Sequence, residues 1–145
     1  MIKIFTIGFT QKTAQNFFET LGKVGVKKVI DTRINNTSQL SGFAKKNDLQ
    51  YFLQSLKSID YDHQISLAPT KNLLSQYRQK EMSWEDYEKA FYQLISDRAI
   101  DKQFSPESLH CSCLLCSEAK PHYCHRRLVA EYLQQKWRDV EICHL

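Results

Sequence analysis

The 145-residue sequence predicts an α/β protein: a single-domain, three-layer sandwich whose mainly parallel sheet of about five strands is covered by helices on both faces. Three observations point that way. Short apolar runs alternate with helical stripes from end to end, the pattern that crossovers between parallel strands require. The first run is apolar on both of its faces, as a strand inside a parallel sheet must be. Composition suits one core rather than two, at 42% hydrophobic and 12% aromatic residues.

Ile2, Ile4, Phe5 and Ile7 make the first strand, closed by Gly8. Thr13 is placed to cap a helix with Phe17, Leu21 and Val24 on one stripe, and Gly25 suits its left-handed terminus. Residues 26–32 (VKKVIDT) read as the second strand. Leu49, Phe52, Leu53 and Leu56 recur at helical spacing within 48–56, and 61–67 (YDHQISL) reads as a third, shorter strand. Pro69 breaks the chain before a helix at about 71–79. Ser83 caps the next helix, with Glu85 and Asp86 in its first turn and Trp84, Tyr87, Phe91, Leu94 and Ile95 on one face. Residues 108–116 (SLHCSCLLC) form the fourth strand. A helix from Pro121 to about Trp137 follows, with the proline in its first turn, and 140–145 (VEICHL) makes the fifth strand.

Four Gly and three Pro exclude a collagen-like or low-complexity chain, and a 25% charged fraction is ordinary for a globular one. No run approaches the roughly 18 apolar residues of a membrane span, and residues 1–5 (MIKIF) lead into a strand rather than a signal peptide. A cytoplasmic protein without a membrane partner is expected. The formal charge is +4, with nine basic against four acidic side chains in residues 1–60. That excess admits an anionic partner, nucleic acid among them, without singling it out. Five cysteines is an odd number, and Cys111, Cys113, Cys116 and Cys124 crowd into fourteen residues. Such spacing suits thiol or metal chemistry better than a disulfide framework.

In an open α/β sheet, ligands bind beyond the carboxyl ends of the strands, near the point where strand order reverses. Gly8-Phe9-Thr10, Asp31-Thr32-Arg33 and Cys116-Ser117-Glu118 follow strands one, two and four, and Cys124-His125-Arg126-Arg127 opens the last helix. Cations at a helix start add to the positive end of its dipole, so an anion is expected to offset them. The alternative is that Asp31 and Glu118 neutralise the arginines as ion pairs. The same field stabilises a thiolate, and Cys116 or Cys124 beside His125, with Glu118 as third group, makes a nucleophile and base. Either cysteine alone is equally a small buried hydrophobe.

The candidate catalytic residues are therefore Cys116, Glu118, Cys124 and His125, and the candidate ligand-binding residues are Gly8, Thr10, Asp31, Arg33, Arg126 and Arg127. No cofactor is predicted. Zinc or iron on Cys113, Cys116, Cys124 and His125 is the competing use, but strand positions 113 and 116 point to opposite faces, and no Gly or Pro shapes the turn. Cys111 and Cys113 read as core, Cys143 as structural. Tyr77, Trp84, Tyr87, Phe91 and Tyr92, near Lys71, Arg78 and Lys80, offer rings on which bases stack. Trp84, Tyr87 and Phe91 nevertheless share the stripe that the helix must bury, which assigns them to the core.

Residues 4–10 (IFTIGFT), 29–33 (VIDTR), 67–70 (LAPT), 114–118 (LLCSE) and 124–127 (CHRR) together resemble the DUF488 family of small prokaryotic proteins, whose function is unknown. The resemblance implies a compact α/β domain with Asp31, Arg33, Cys116, Glu118, Cys124, His125 and Arg126 around one pocket. Thr32 stands where the family usually carries Val, and Asn35-Asn36 where it often carries a Pro-containing loop. Phe9-Thr10 replaces the commoner His-Ser, which removes a proton-transfer group there. The reading is a pocket for an anionic small molecule, phosphate- or nucleotide-like, serving a thiol-dependent transferase or hydrolase if the protein is an enzyme. A nucleic-acid-associated binding module and a structural zinc or iron protein are the alternatives.

Overall fold

The computed structural model describes residues 1–37, 42–118 and 120–145. Its strands are β1 (Ile2–Gly8), β2 (Lys28–Asp31), β3 (Asp60–His63), β4 (Ser112–Cys116) and β5 (Val140–His144). They form one sheet in the order β3-β2-β4-β1-β5, and every neighbouring pair is parallel. The helices are α1 (Ala14–Val24), α2 (Lys46–Lys57), α3 (Lys71–Arg78), α4 (Trp84–Asp97), α5 (Ile100–Gln103), α6 (Pro106–Leu109) and α7 (His125–Lys136).

The two-residue period of the strands divides the core into two layers. Ile4, Ile30 and Leu114 pack with Phe91 and Ile95 of α4 and with Val129 and Leu133 of α7. Phe5, Ile7, Val29, Cys113 and Leu115 pack on the other face with Phe17 and Leu21 of α1 and Leu49 and Leu53 of α2. Both faces of β1, β2 and β4 are thus covered, which is why these segments are nearly continuous apolar runs. The edge strands β3 and β5 are partly open and alternate with polar residues.

Helix ends follow the capping chemistry. Thr13 Oγ1 accepts from the Asn16 N–H and Ser83 Oγ from the Asp86 N–H, each at 3.1 Å. Gly25 adopts φ 82° at the end of α1, a left-handed conformation that a side chain disfavours.

Several boundaries depart from the sequence reading. The buried stripe of α1 is Phe17, Phe18 and Leu21, with Val24 exposed, and Leu56 at the end of α2 is also exposed. The run after Tyr61 stops being a strand at His63, because β2 offers no partner beyond Asp31, and Ile65–Leu67 closes into a 3₁₀ turn. Residues 108–111 do not extend β4. Ser105 caps the single turn α6, and Cys111 takes φ 62° before the strand begins. Pro121 precedes α7 rather than opening it, its carbonyl accepting from the Cys124 N–H at 3.1 Å, so that Cys124 is the helix cap.

These placements set the position of the site. β2 is followed by α2 on one face and β4 by α7 on the other, so the chain leaves the carboxyl ends of two adjacent strands in opposite directions. A crevice opens between them, as expected at such a switch point. No helix among the described residues is long and apolar enough to cross a membrane.

Candidate functional site

A cavity of about 300 Å³ lies at this rim, and Arg33, Cys116, Glu118, Cys124 and His125 all line it. Its floor is built by backbone parity: Cys116 shares the face of Leu114, toward α7, whereas Cys113 faces α1 and α2. Cys124 and His125 reach the same point from the start of α7.

The Cys116 Sγ lies 3.6 Å from His125 Nδ1. On the far side of the ring, Nε2 lies 2.9 Å from the Thr32 carbonyl oxygen and 3.1 Å from Thr32 Oγ1, whose own proton goes to the Leu115 carbonyl at 2.7 Å. A carbonyl only accepts, so Nε2 carries the proton and Nδ1 is left facing the thiol as an acceptor. The Phe91 ring meets the imidazole edge-to-face at 5.5 Å and fixes its plane.

This arrangement separates the two thiols. A hydrogen bond from Cys124, the charge of His125 and the Glu118 N–H hold the Cys116 thiol well below the ordinary thiol range, against the opposing effect of burial. Burial and the neighbouring Cys116 sulfur push Cys124 well above that range. Burial would lower His125, but the charge and hydrogen bond of Cys116 outweigh it and raise the imidazole. All three shifts favour transfer of the Cys116 proton to His125 Nδ1, with Cys124 kept as a thiol. Cys113, fully buried, is driven up by that burial.

Arg33 is almost wholly buried against Asp31. Its Nε donates to Oδ1 and its Nη2 to Oδ2, both at 2.8 Å, and its own N–H returns to Oδ1 at 3.1 Å. The Tyr61 hydroxyl, at 2.5 Å, and Asn36 Nδ2, at 3.3 Å, complete the carboxylate. Burial favours the neutral acid, but the hydrogen bonds and charge of Arg33 prevail, and Asp31 titrates below the usual carboxylate range. Phe9 covers the guanidinium at 5.1 Å, and His63 donates from Nε2 to the Arg33 carbonyl at 2.7 Å.

The remaining predicted residues lie outside the cavity lining. Gly8 and Thr10 hold the backbone beyond β4. A Cβ on Gly8 would sit 1.5 Å from the Glu118 carbonyl oxygen, and Thr10 bonds the Ser117 carbonyl through both its N–H, at 3.1 Å, and its Oγ1, at 2.5 Å. Arg126 is fully buried behind the floor, giving Nη1 to the Glu118 carbonyl at 2.6 Å, and Arg127 turns outward to Glu88 and Glu131 at 3.0 and 2.9 Å. Of the two acids expected to neutralise arginines, Asp31 does so and Glu118 does not: its exposed side chain stands at the cavity rim.

Two features had no sequence reading, the Thr32 carbonyl that orients His125 and the Tyr61 and Asn36 donors to Asp31; a third, the cavity wall, joins Tyr123 to Tyr77, which the sequence leaves free for stacking, and to Trp84, which it assigns to the core. For the last, a signal was available, since Trp84 is the first residue of α4 and lies at the edge of the stripe that must be buried. As metal donors, Cys116 Sγ, Cys124 Sγ and a His125 nitrogen lie within 4.8 Å of one another. Three soft donors with a fourth position open to a cavity are a set that zinc accepts, and Cys113 is not part of it.

Fold and site together define an α/β protein with a buried cysteine–histidine pair at the carboxyl rim of a parallel sheet. The family model described as Domain of unknown function DUF488 matches residues 13–133, and the chain belongs to that family. No curated protein and no solved structure matches the chain.

Proposed function

We propose that the protein is a cytoplasmic thiol-dependent transferase or hydrolase acting on a small molecule, with Cys116 as nucleophile and His125 as proton carrier. The observation that carries this reading is the oriented pair: Nε2 is tied to the Thr32 carbonyl, and Nδ1 faces Cys116 Sγ at 3.6 Å on the floor of an open cavity.

The thiolate forms an S–C bond to the electrophilic carbon as the bond from that carbon to its leaving atom breaks. Imidazolium Nδ1–H gives its proton to the leaving atom. An incoming water or acceptor group then gives its proton to the neutral Nδ1 and bonds to the same carbon, and the S–C bond breaks to restore the thiolate. Cys124 remains protonated throughout and steadies the sulfur in each resting state. Arg33 binds the substrate with the N–H that Asp31 leaves open, and Arg78 on the rim supplies attraction for an anionic group.

Labelling with iodoacetamide at neutral pH, followed by peptide mass spectrometry, tests the reading. Cys116 is expected to be modified first, and AMP is expected to slow it. Equal, slow modification of every cysteine overturns the proposal.

A further inference from the structure

Resting on that reading of Cys116, the geometry points to a substrate class: a small molecule carrying a flat heteroaromatic ring, held against an aromatic wall with a ring acceptor atom facing Arg33. Three separate segments contribute the wall. Tyr77 comes from α3, Trp84 and Tyr87 from α4, and Tyr123 from the turn before α7, and all four line the cavity. Their rings form a continuous contact chain. Tyr77 meets Trp84 at 5.4 Å, Trp84 meets Tyr87 at 5.1 Å, and Tyr123 stands edge-on to Trp84 at 5.4 Å.

Core packing explains Tyr87, which is 2% exposed, but not Tyr123, which is 56% exposed and brings an aromatic ring to the mouth of a cavity that already holds charged groups. Rings with solvent-facing surface on a cavity wall present π-faces on which a flat ligand stacks.

A second observation independently points to a ligand. Arg33 is 3% exposed and lines the cavity, yet its Nη1 has no hydrogen-bond partner among the described residues, while Asp31 takes its Nε and Nη2. A buried donor without a partner is rare, and at a cavity wall it is matched by an acceptor on the occupant. Because Asp31 already neutralises the guanidinium, that donor favours a ring carbonyl or ring nitrogen over a phosphate. A volume of about 300 Å³ lies at the lower end for ligand pockets, the size of one base or one mononucleotide. With Arg33 paired to Asp31 and Arg78 set against Glu118, these side chains leave the cavity near formal balance, which disfavours a polyanion.

Trp84 reports on its own wall. The other tryptophan, Trp137, donates to the Asp101 carbonyl at 3.3 Å and does not line the cavity, so Trp137→Phe leaves one informative indole. In that background, indole fluorescence and the iodoacetamide labelling rate of Cys116 are followed with AMP, adenosine and ribose 5-phosphate. Adenosine and AMP are expected to quench Trp84 and to slow labelling, and ribose 5-phosphate to do neither. Trp84→Leu, and independently the exposed Tyr123→Leu, are expected to weaken protection about 10- to 100-fold.

Protection by ribose 5-phosphate equal to that by AMP overturns the inference in favour of phosphate recognition. Failure of the four common nucleoside monophosphates and of nicotinamide to quench at millimolar concentration overturns it outright. Fast Cys116 labelling without ring binding refutes this inference alone, whereas ring binding beside an inert Cys116 refutes the thiolate reading alone.

Discussion

Cys124 Sγ lies within 4.8 Å of Cys116 Sγ, and its hydrogen bond favours the Cys116 thiolate on the proposed reading, so replacing Cys124 by Ala should lower the reactivity of Cys116. A hydrogen bond to a charged acceptor contributes about 1.5–3 kcal/mol, and a thiol is a weak donor, so the low end applies. At 1.36 kcal/mol per unit, about 1.5 kcal/mol raises the apparent pKa of Cys116 by roughly one unit. On the acid side of the titration, labelling of Cys116 should slow about tenfold; on the alkaline side, where the thiolate is fully formed in both proteins, the rates should converge. The assay is the iodoacetamide rate at Cys116 across the pH range, in a Cys143→Ser background that removes the exposed thiol. Cys124→Ser, which retains an O–H donor at the same place, should restore most of the profile. Superimposable profiles for wild type and Cys124→Ala, or preferential modification of Cys124 in the wild type, would show that the hydrogen bond does not set the reactivity.

Asp31→Asn strands the buried Arg33 and should cost about 3–5 kcal/mol by urea unfolding. Because the native Asp31 pKa lies below its unfolded value, the stability it contributes is full above the ordinary carboxylate range and is lost as pH falls through the native pKa; the variant should lack that part of the acid-side loss. Gly8→Ala drives a methyl into the Glu118 carbonyl and should cost about 3 kcal/mol, with slower Cys116 labelling as the Glu118 N–H moves away. Thr32→Val should cost about 1 kcal/mol but leave Cys116 labelling nearly unchanged, since the Thr32 carbonyl still holds His125; a large loss of labelling would reassign the orienting role to the hydroxyl. Elemental analysis of protein prepared without chelator should find substoichiometric metal, and about one zinc or iron per chain would replace the thiolate reading with a metal centre.

The strand and helix order was legible because it depends on local periodicity and on capping chemistry at Thr13, Ser83 and Gly25, all carried by neighbouring residues. The family match was legible in the same motifs, and they also marked the strand ends where Arg33, Cys116 and His125 converge. Boundaries failed where tertiary pairing decided them: residues 64–67 have the composition of a strand, but β2 ends at Asp31, and without a partner the backbone closes into a turn. The partners of the arginines were hidden for a related reason. Arg126 and Arg127 are adjacent in sequence and about 100° apart around a helix, which sends one into the protein and the other to acids on α4 and α7. Trp84 packs against the core as its helical stripe implies, but only in part, and periodicity does not reveal that its remaining surface lines a cavity.

The cationic start of α7 then has an explanation within the chain. Two arginines beside the positive end of a helix dipole raise the free energy of the fold unless negative charge lies close by. Glu88 and Glu131 answer Arg127 on the outside, but among the described residues Arg126 meets only a carbonyl, and its Nε and Nη2 have no partner. Arg126 acts electrostatically on both Cys124 and His125, whose donor atoms lie within 4.8 Å of the Cys116 sulfur. On the proposed reading, a Cys116 thiolate supplies negative charge beside this helix start. Neutralising it by alkylation should therefore destabilise the fold as well as block the site, a coupling that a thiol buried only for packing would not show.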